Sequence, residues 1–142
     1  MLQRIQTLWT LLAAACAVLT LKLSFFSGNK MIGNPAAPTF YRVTATSNII
    51  LLILTVAIIV AGFVNIFNYK NRKLQFRITL LLALISLIDL FLFYRETTEF
   101  RPGEGNFNLT CLLTLAIPFF LILAARGISK DEQIVKGADR LR

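Results

Sequence analysis

The sequence contains no histidine, two cysteines and few charged residues. Without histidine, the chain lacks the commonest general base, metal ligand and pH-sensitive side chain. Cys16 and Cys111 both lie inside apolar runs, which excludes a disulfide framework and a zinc site. The sequence also shows no convergent pair of carboxylates of the kind that an active site uses. We therefore expect a protein that is not an enzyme and that has no catalytic residue, cofactor or metal.

Charged residues make up only 15% of the 142 residues, whereas hydrophobic residues make up 56%. Average globular chains are about 25% charged and about 45–50% apolar. A soluble domain of this length could not bury so much apolar surface, because small domains leave a large share of their surface exposed. The composition therefore excludes an ordinary soluble domain and a disordered chain, and it indicates a small integral membrane protein.

Four apolar runs are each close to the length of a membrane-crossing helix, about 17–25 residues. They cover residues 5–26, 49–67, 78–94 and 109–125. Backbone groups inside lipid must bond within their own segment, so each run is predicted to be a helix. Residues 27–45 and 96–108 are predicted to be turn-rich loops. The predicted fold over residues 1–142 is an all-α, four-transmembrane-helix up-down bundle with a cytoplasmic tail at 126–142.

Positive charge is unevenly divided between the two sides of such a bundle. Ten cations share a side with both termini, namely Arg4, Lys70, Arg72, Lys73, Arg77, Arg126, Lys130, Lys136, Arg140 and Arg142. The other side has five, which are Lys22, Lys30, Arg42, Arg95 and Arg101. The positive-inside rule then places both termini in the cytoplasm. This distribution accounts for the net charge of +8 without a nucleic-acid partner.

Small and polar residues recur along one face of each run at steps of about three, four and seven residues. In the first run the main members are Thr7, Thr10, Ala14, Ala17, Thr20 and Ser24, and in the second they are Asn48, Thr55, Gly62 and Asn65. In the third run they are Thr79, Ala83, Ser86 and Asp89, and in the fourth they are Thr110, Thr114 and Ala124. Small residues let helices approach closely in lipid, and hydroxyl and amide groups bond between them. We expect these faces to be packing surfaces rather than a polar conduit.

Asp89 is an intramembrane carboxylate, about two-thirds of the way across the third run. A carboxylate at this depth costs a few kcal/mol unless it is paired, hydrated or protonated. Two interpretations stay open: a proton or cation site on the face that also carries Ser86, or a hydrogen-bonded structural residue, which we favour. Asn65 is the corresponding polar residue of the second run. Lys22 is predicted to point away, so the expected partners of Asp89 are Thr20, Ser24, Thr114 or water.

The tail carries the signals of a separate short helix. Gly127 is placed to end the fourth helix, and residues 129–132 fit the S-x-x-E capping box of a new one. The apolar residues cluster toward one side, namely Ile128, Ile134, Val135, Ala138 and Leu141. We predict a short amphipathic cytoplasmic helix with three alternative roles: binding to anionic lipid headgroups, docking on a protein partner, or a solvated tail.

Three stretches of the chain carry a family resemblance: MLQRIQTLWTLLAA, YKNRKLQFR and LAARGISKDEQIVKGADRLR. The tail match rests on Arg126, Ile128, Lys130, Asp131, Glu132, Val135, Asp139, Arg140, Leu141 and Arg142. The chain resembles an uncharacterised Bacteroidota family of small four-helix inner-membrane proteins, a domain of unknown function. The resemblance implies a multi-pass protein of the bacterial inner membrane with cytoplasmic termini. It implies no activity and supplies no catalytic residue.

Two functional hypotheses follow. The first is a non-enzymatic accessory or scaffold subunit whose basic cytoplasmic surface binds membrane lipid or a protein partner in a larger assembly. Its predicted interface is Lys70, Arg72, Lys73, Arg77, Arg126, Lys130, Lys136, Arg140 and Arg142. The second is a small homo-oligomeric proton- or ion-coupled carrier centred on Asp89. The first predicts that the tail matters most, and the second that Asp89→Asn abolishes function.

Overall fold

The computed structural model describes residues 3–30, 39–68 and 71–140. Within these ranges the chain forms, in order, α1 (Gln3–Thr20), β1 (Phe26–Lys30), β2 (Thr39–Val43), α2 (Ile49–Phe67), α3 (Arg72–Thr97), β3 (Phe100–Phe107) and α4 (Cys111–Arg140). Helices α1 and α3 each pack against both α2 and α4. The four helices therefore lie side by side, with α1 and α3 on a diagonal.

A small antiparallel sheet contradicts the all-α prediction. Its strand order is β2-β1-β3, with Phe26 of β1 opposite Val43 of β2 and Phe107 of β3. The predicted first span is also too long, because α1 ends at Thr20 and Phe26 already belongs to β1. Both predicted loops contain strands, and aromatic rings pack across the sheet: the Tyr41 and Phe100 rings lie 6.4 Å apart, and the Phe26 ring lies 5.0 Å from those of Phe100 and Phe107.

Gly28 and Gly105 face each other in neighbouring strands β1 and β3. A Cβ atom on Gly28 would lie 2.6 Å from the Cα of Gly105 and 2.8 Å from the carbonyl oxygen of Glu104. A Cβ atom on Gly105 would lie 2.3 Å from the Phe26 ring. The two glycines therefore permit a close approach of strands and ring that a larger residue would block.

The buried apolar residues form two clusters. One lies between the helices and includes Ala13, Ala17, Ile58, Leu82, Ile117 and Leu121. The other lies between the sheet and the helices and includes Phe25, Val43, Leu51, Phe93 and Phe100. The sheet thus covers the end of the helices where α2 begins and α3 ends, which we call the sheet end. The opposite end, where α2 ends, α3 begins and the last turns of α4 lie, is the tail end.

Three helical segments are long and apolar enough to cross a membrane: Ile49–Phe67, Arg72–Thr97 and Cys111–Ile134. The described apolar part of α1, Ile5–Thr20, is shorter. Large apolar side chains cover the outward faces of all four helices, including Leu8, Ile53, Leu84 and Phe119. Lipid tails suit such faces and water does not, so the chain has the character of a membrane protein.

Most of the predicted small and polar faces are buried between the helices. The buried members are Thr10, Ala14, Ala17 and Thr20 of α1, Thr55, Gly62 and Asn65 of α2, Thr79, Ala83, Ser86 and Asp89 of α3, and Thr114 and Ala124 of α4. Hydroxyl groups among them bond to their own helix, as Thr55 does to the Leu51 carbonyl at 2.8 Å. The prediction that these faces serve helix packing is confirmed.

Helix α4 continues without a break through Gly127, so the predicted separate tail helix is wrong. Gly127 contacts α1 instead, because a Cβ atom there would lie 2.8 Å from the Cγ of Gln6. Ile128 and Asp131, just beyond it, are buried. A glycine inside a helix costs about 1 kcal/mol relative to alanine. Close packing against α1 offsets this cost, so the helix continues beyond Gly127 although the local sequence favours a helix end there.

Candidate functional site

Asp131 joins the last turns of α4 to two other helices. Its side chain is buried, and its carboxylate accepts a hydrogen bond from the side-chain amide of Gln6 in α1. Its backbone carbonyl accepts a hydrogen bond from the guanidinium of Arg72, at the start of α3, at 3.4 Å. A buried carboxylate needs partners of this kind. The tail is therefore held against α1 and α3 over the turns that contain Asp131.

A second polar cluster ties α2 to α3 at the same end. The Asn65 amide donates a hydrogen bond to the Thr79 hydroxyl at 2.8 Å and to the Gln75 carbonyl at 3.4 Å. The Gln75 side-chain amide donates in return to the Asn65 carbonyl at 3.4 Å. Asn65 and Thr79 are fully buried. Asn65, predicted as an intramembrane polar residue, thus fixes the start of α3, where several of the basic residues lie.

Basic side chains from two distant parts of the sequence lie at the tail end. Lys73 and Arg77 on α3 and Arg126 and Lys130 on α4 are exposed, and Arg72 is half-buried. We call these five residues the basic platform. The hydrogen bond from Arg72 to the Asp131 carbonyl joins the two basic segments, and a groove between α3 and α4 is lined by Arg126 and Lys130. The interface role predicted for these cations stays a prediction.

Four other predicted interface positions cannot be placed. Lys70 and Arg142 lie outside the described residues, as do the side chains of Lys136 and Arg140.

Asp89 is buried between α2 and α3. The Thr55 hydroxyl lies 3.4 Å from one of its carboxylate oxygens, Oδ2, and Oδ1 has no hydrogen-bond partner among the described residues. Ser86, on the same face, donates instead to the Ala83 carbonyl at 2.8 Å.

The side-chain partners expected for Asp89 are wrong. The hydroxyl that donates to Asp89 is that of Thr55 in α2, because α3 packs on α2 and α4 and lies diagonally from α1. Ser24 binds the Asn108 amide at 2.6 Å, and the Thr20 hydroxyl donates to the Ala17 carbonyl at 2.8 Å. The helical period placed Thr55 on a packing face, but it could not show which helix that face meets.

The acidic residues near the sheet end have separate partners. Glu99 forms an ion pair with Lys30. The hydrogen bond between these two side chains is the main cause of the raised pKa of Lys30. Glu96 accepts a hydrogen bond from the Asn48 amide at 2.7 Å. Both glutamates line a cleft of about 270 Å³ with Arg95. Within the described ranges, no three metal-ligating side chains come together.

Residues 2–141 match the family described as a domain of unknown function, DUF4293. Comparison with curated proteins finds no relative of this chain. The match extends over α1, α2, α3, the sheet and nearly all of the tail, and it confirms the resemblance to an uncharacterised family. The chain therefore belongs to the DUF4293 family of domains of unknown function.

Proposed function

We propose that this protein is a multi-pass protein of the bacterial inner membrane and a non-enzymatic accessory or scaffold subunit. Helices α2, α3 and α4 have the length and apolarity for crossing a membrane. Helix α1, about 27 Å long at 1.5 Å per residue, is the fourth span. The cations of the basic platform support a cytoplasmic tail end, with the sheet on the outer side.

The docked end of α4 is the observation that carries this proposal. Helix α4 contains 30 residues, so it is about 45 Å long and exceeds the hydrocarbon thickness of about 30 Å. Its last turns extend beyond the lipid, and the Asp131 contacts hold them on α1 and α3. A charged surface that is already ordered binds with a smaller entropic cost than a flexible tail. The basic platform is thus suited to an acidic cytoplasmic surface of a partner protein.

A charge-neutralised variant tests the proposal. Lys73→Gln, Arg77→Gln, Arg126→Gln and Lys130→Gln are combined in the tagged full-length protein, which is purified in native nanodiscs. We expect mass spectrometry to find a stoichiometric partner with the wild type and about tenfold less of it with the variant, equivalent to ~1.4 kcal/mol.

A control for that experiment combines Arg42→Gln and Arg95→Gln, which neutralise two exposed cations near the sheet end. It should retain the partner. Retention by the platform variant, or a wild type that purifies only as a homo-oligomer, would contradict the scaffold proposal.

The second candidate is an oligomeric proton- or ion-coupled carrier. The observation that favours it is the Oδ1 atom of Asp89, which has no hydrogen-bond partner among the described residues. A buried carboxylate oxygen without a described partner is unusual, and intramembrane carboxylates often bind protons or cations. Asp89→Asn separates the candidates within the same experiment. The scaffold proposal predicts that this variant retains the partner. The carrier predicts a homo-oligomer whose ion flux in proteoliposomes is lost with Asp89→Asn.

A further inference from the structure

A groove of about 380 Å³ lies between α3 and α4 at the tail end. On α3 it is lined by Phe76, Leu80 and Ala83, and on α4 by Ile122, Arg126 and Lys130. Steps of three and four residues place each set on one face of its helix. The groove therefore follows the seam between two packed helices.

The groove changes from apolar to cationic along its length. Leu80 and Ile122 are 48% and 41% exposed, so within a bilayer their faces contact acyl chains. Arg126 lies about 6 Å further along α4 than Ile122, and Lys130 about 12 Å further, at 1.5 Å per residue. Ser129 and Gln133 add hydrogen-bonding side chains to this polar part. A glycerophospholipid has the same order of groups, because its apolar acyl chains are followed by a charged phosphate. The apolar part of the groove therefore suits an acyl chain, and the cationic part suits the phosphate.

We propose that this groove is a binding site for one anionic glycerophospholipid. The acyl chain lies along Leu80 and Ile122, and the headgroup phosphate binds Arg126 and Lys130. A guanidinium fork binds phosphate through two parallel hydrogen bonds, and the lysine adds a second positive charge. A zwitterionic lipid brings its own ammonium group to these two cations, so an anionic lipid is preferred. The inference rests on the membrane orientation given under the proposed function.

Native mass spectrometry of the full-length protein tests the site. The detergent-solubilised protein is mixed in turn with phosphatidylglycerol, phosphatidylethanolamine and inorganic phosphate. We expect one bound phosphatidylglycerol, at least fivefold less phosphatidylethanolamine, and no displacement of the lipid by inorganic phosphate. The double variant Arg126→Gln and Lys130→Gln should lose about nine-tenths of the bound lipid. The sheet-end variant Arg42→Gln and Arg95→Gln should keep it.

A second pair of variants tests the acyl part of the groove. Leu80→Trp fills it from its exposed edge, whereas Leu84→Trp adds the same ring one turn further along α3, where the side chain is 58% exposed. Only Leu80→Trp should lose the lipid while eluting as a single species.

Equal binding of the two lipids, or lipid retention by the Arg126 and Lys130 variant, would overturn the site. If the lipid site fails in this way but the protein partner still binds, the scaffold proposal remains intact. If labelling places the tail end outside the cytoplasm, both the lipid site and the scaffold proposal are overturned.

Discussion

Gly28→Ala is expected to lower the melting temperature of the purified protein by about 10 °C, which corresponds to ~3 kcal/mol for a chain of this size. The added methyl group meets backbone atoms of Gly105 and Glu104 at 2.6 and 2.8 Å. Backbone atoms cannot rotate away, so strands β1 and β3 must separate. That separation removes Phe26 from its contacts with Phe100 and Phe107 and opens the cluster beneath the sheet. Tryptophan fluorescence during heating measures the change.

Gly103→Ala is the control within the same sheet. Gly103 has a φ of +86°, and a Cβ atom there would have no neighbour within 4 Å. Its substitution therefore costs only backbone strain, ~1–2 kcal/mol. If Gly28→Ala is no more destabilising than Gly103→Ala, the close approach of β1 and β3 is not what stabilises the sheet end.

Asp131→Ala is expected to undock the end of α4. The substitution leaves the buried amide of Gln6 without its acceptor, at a cost of ~2 kcal/mol. Amide hydrogen exchange over residues 128–134 should then be about thirtyfold faster, because local opening requires that much less free energy. Partner retention should fall as well, since the cations of the late α4 turns are no longer held beside α3.

Two variants control for the loss of the acceptor. Asp131→Asn keeps an oxygen that accepts the hydrogen bond from Gln6, and it should preserve most of the protection. Gln133→Ala removes an exposed polar side chain from the same helix and should change exchange little. Equal exchange in Asp131→Ala and Gln133→Ala would show that Asp131 does not hold the tail in place.

Periodic features of the fold could be predicted from the sequence. Residues 49–67 form α2 as predicted, and the polar face through Thr55 and Asn65 is buried. A helical period fixes which residues share a face, so the sequence predicts that Asp89 lies on a packing surface. It does not show which helix lies opposite. Asp89 contacts Thr55 rather than Thr20 because of the order in which the helices pack around the bundle. That order is a property of the tertiary structure.

Features that depend on distant contacts could not be predicted. Gly127 has the local character of a helix end, but its contact with Gln6 of α1 makes it an interior residue. Strands β1 and β3 could not be predicted for the same reason, since both contain glycine, which is uncommon in strands, and they pair with each other across a long stretch of chain. Phe100 and Phe107, at the ends of an apparent acidic loop, were the available signal. Large aromatic side chains at such positions indicate burial.

Cysteine labelling tests most directly the central claim that the basic platform is cytoplasmic and the sheet is outside. Arg42→Cys at the sheet end and Lys130→Cys at the tail end are made separately in a background with Cys16→Ala and Cys111→Ser. A membrane-impermeant maleimide is applied to intact spheroplasts and to lysed ones. The account predicts that Arg42→Cys reacts in intact spheroplasts and Lys130→Cys only after lysis. Labelling of Lys130→Cys in intact spheroplasts would contradict it.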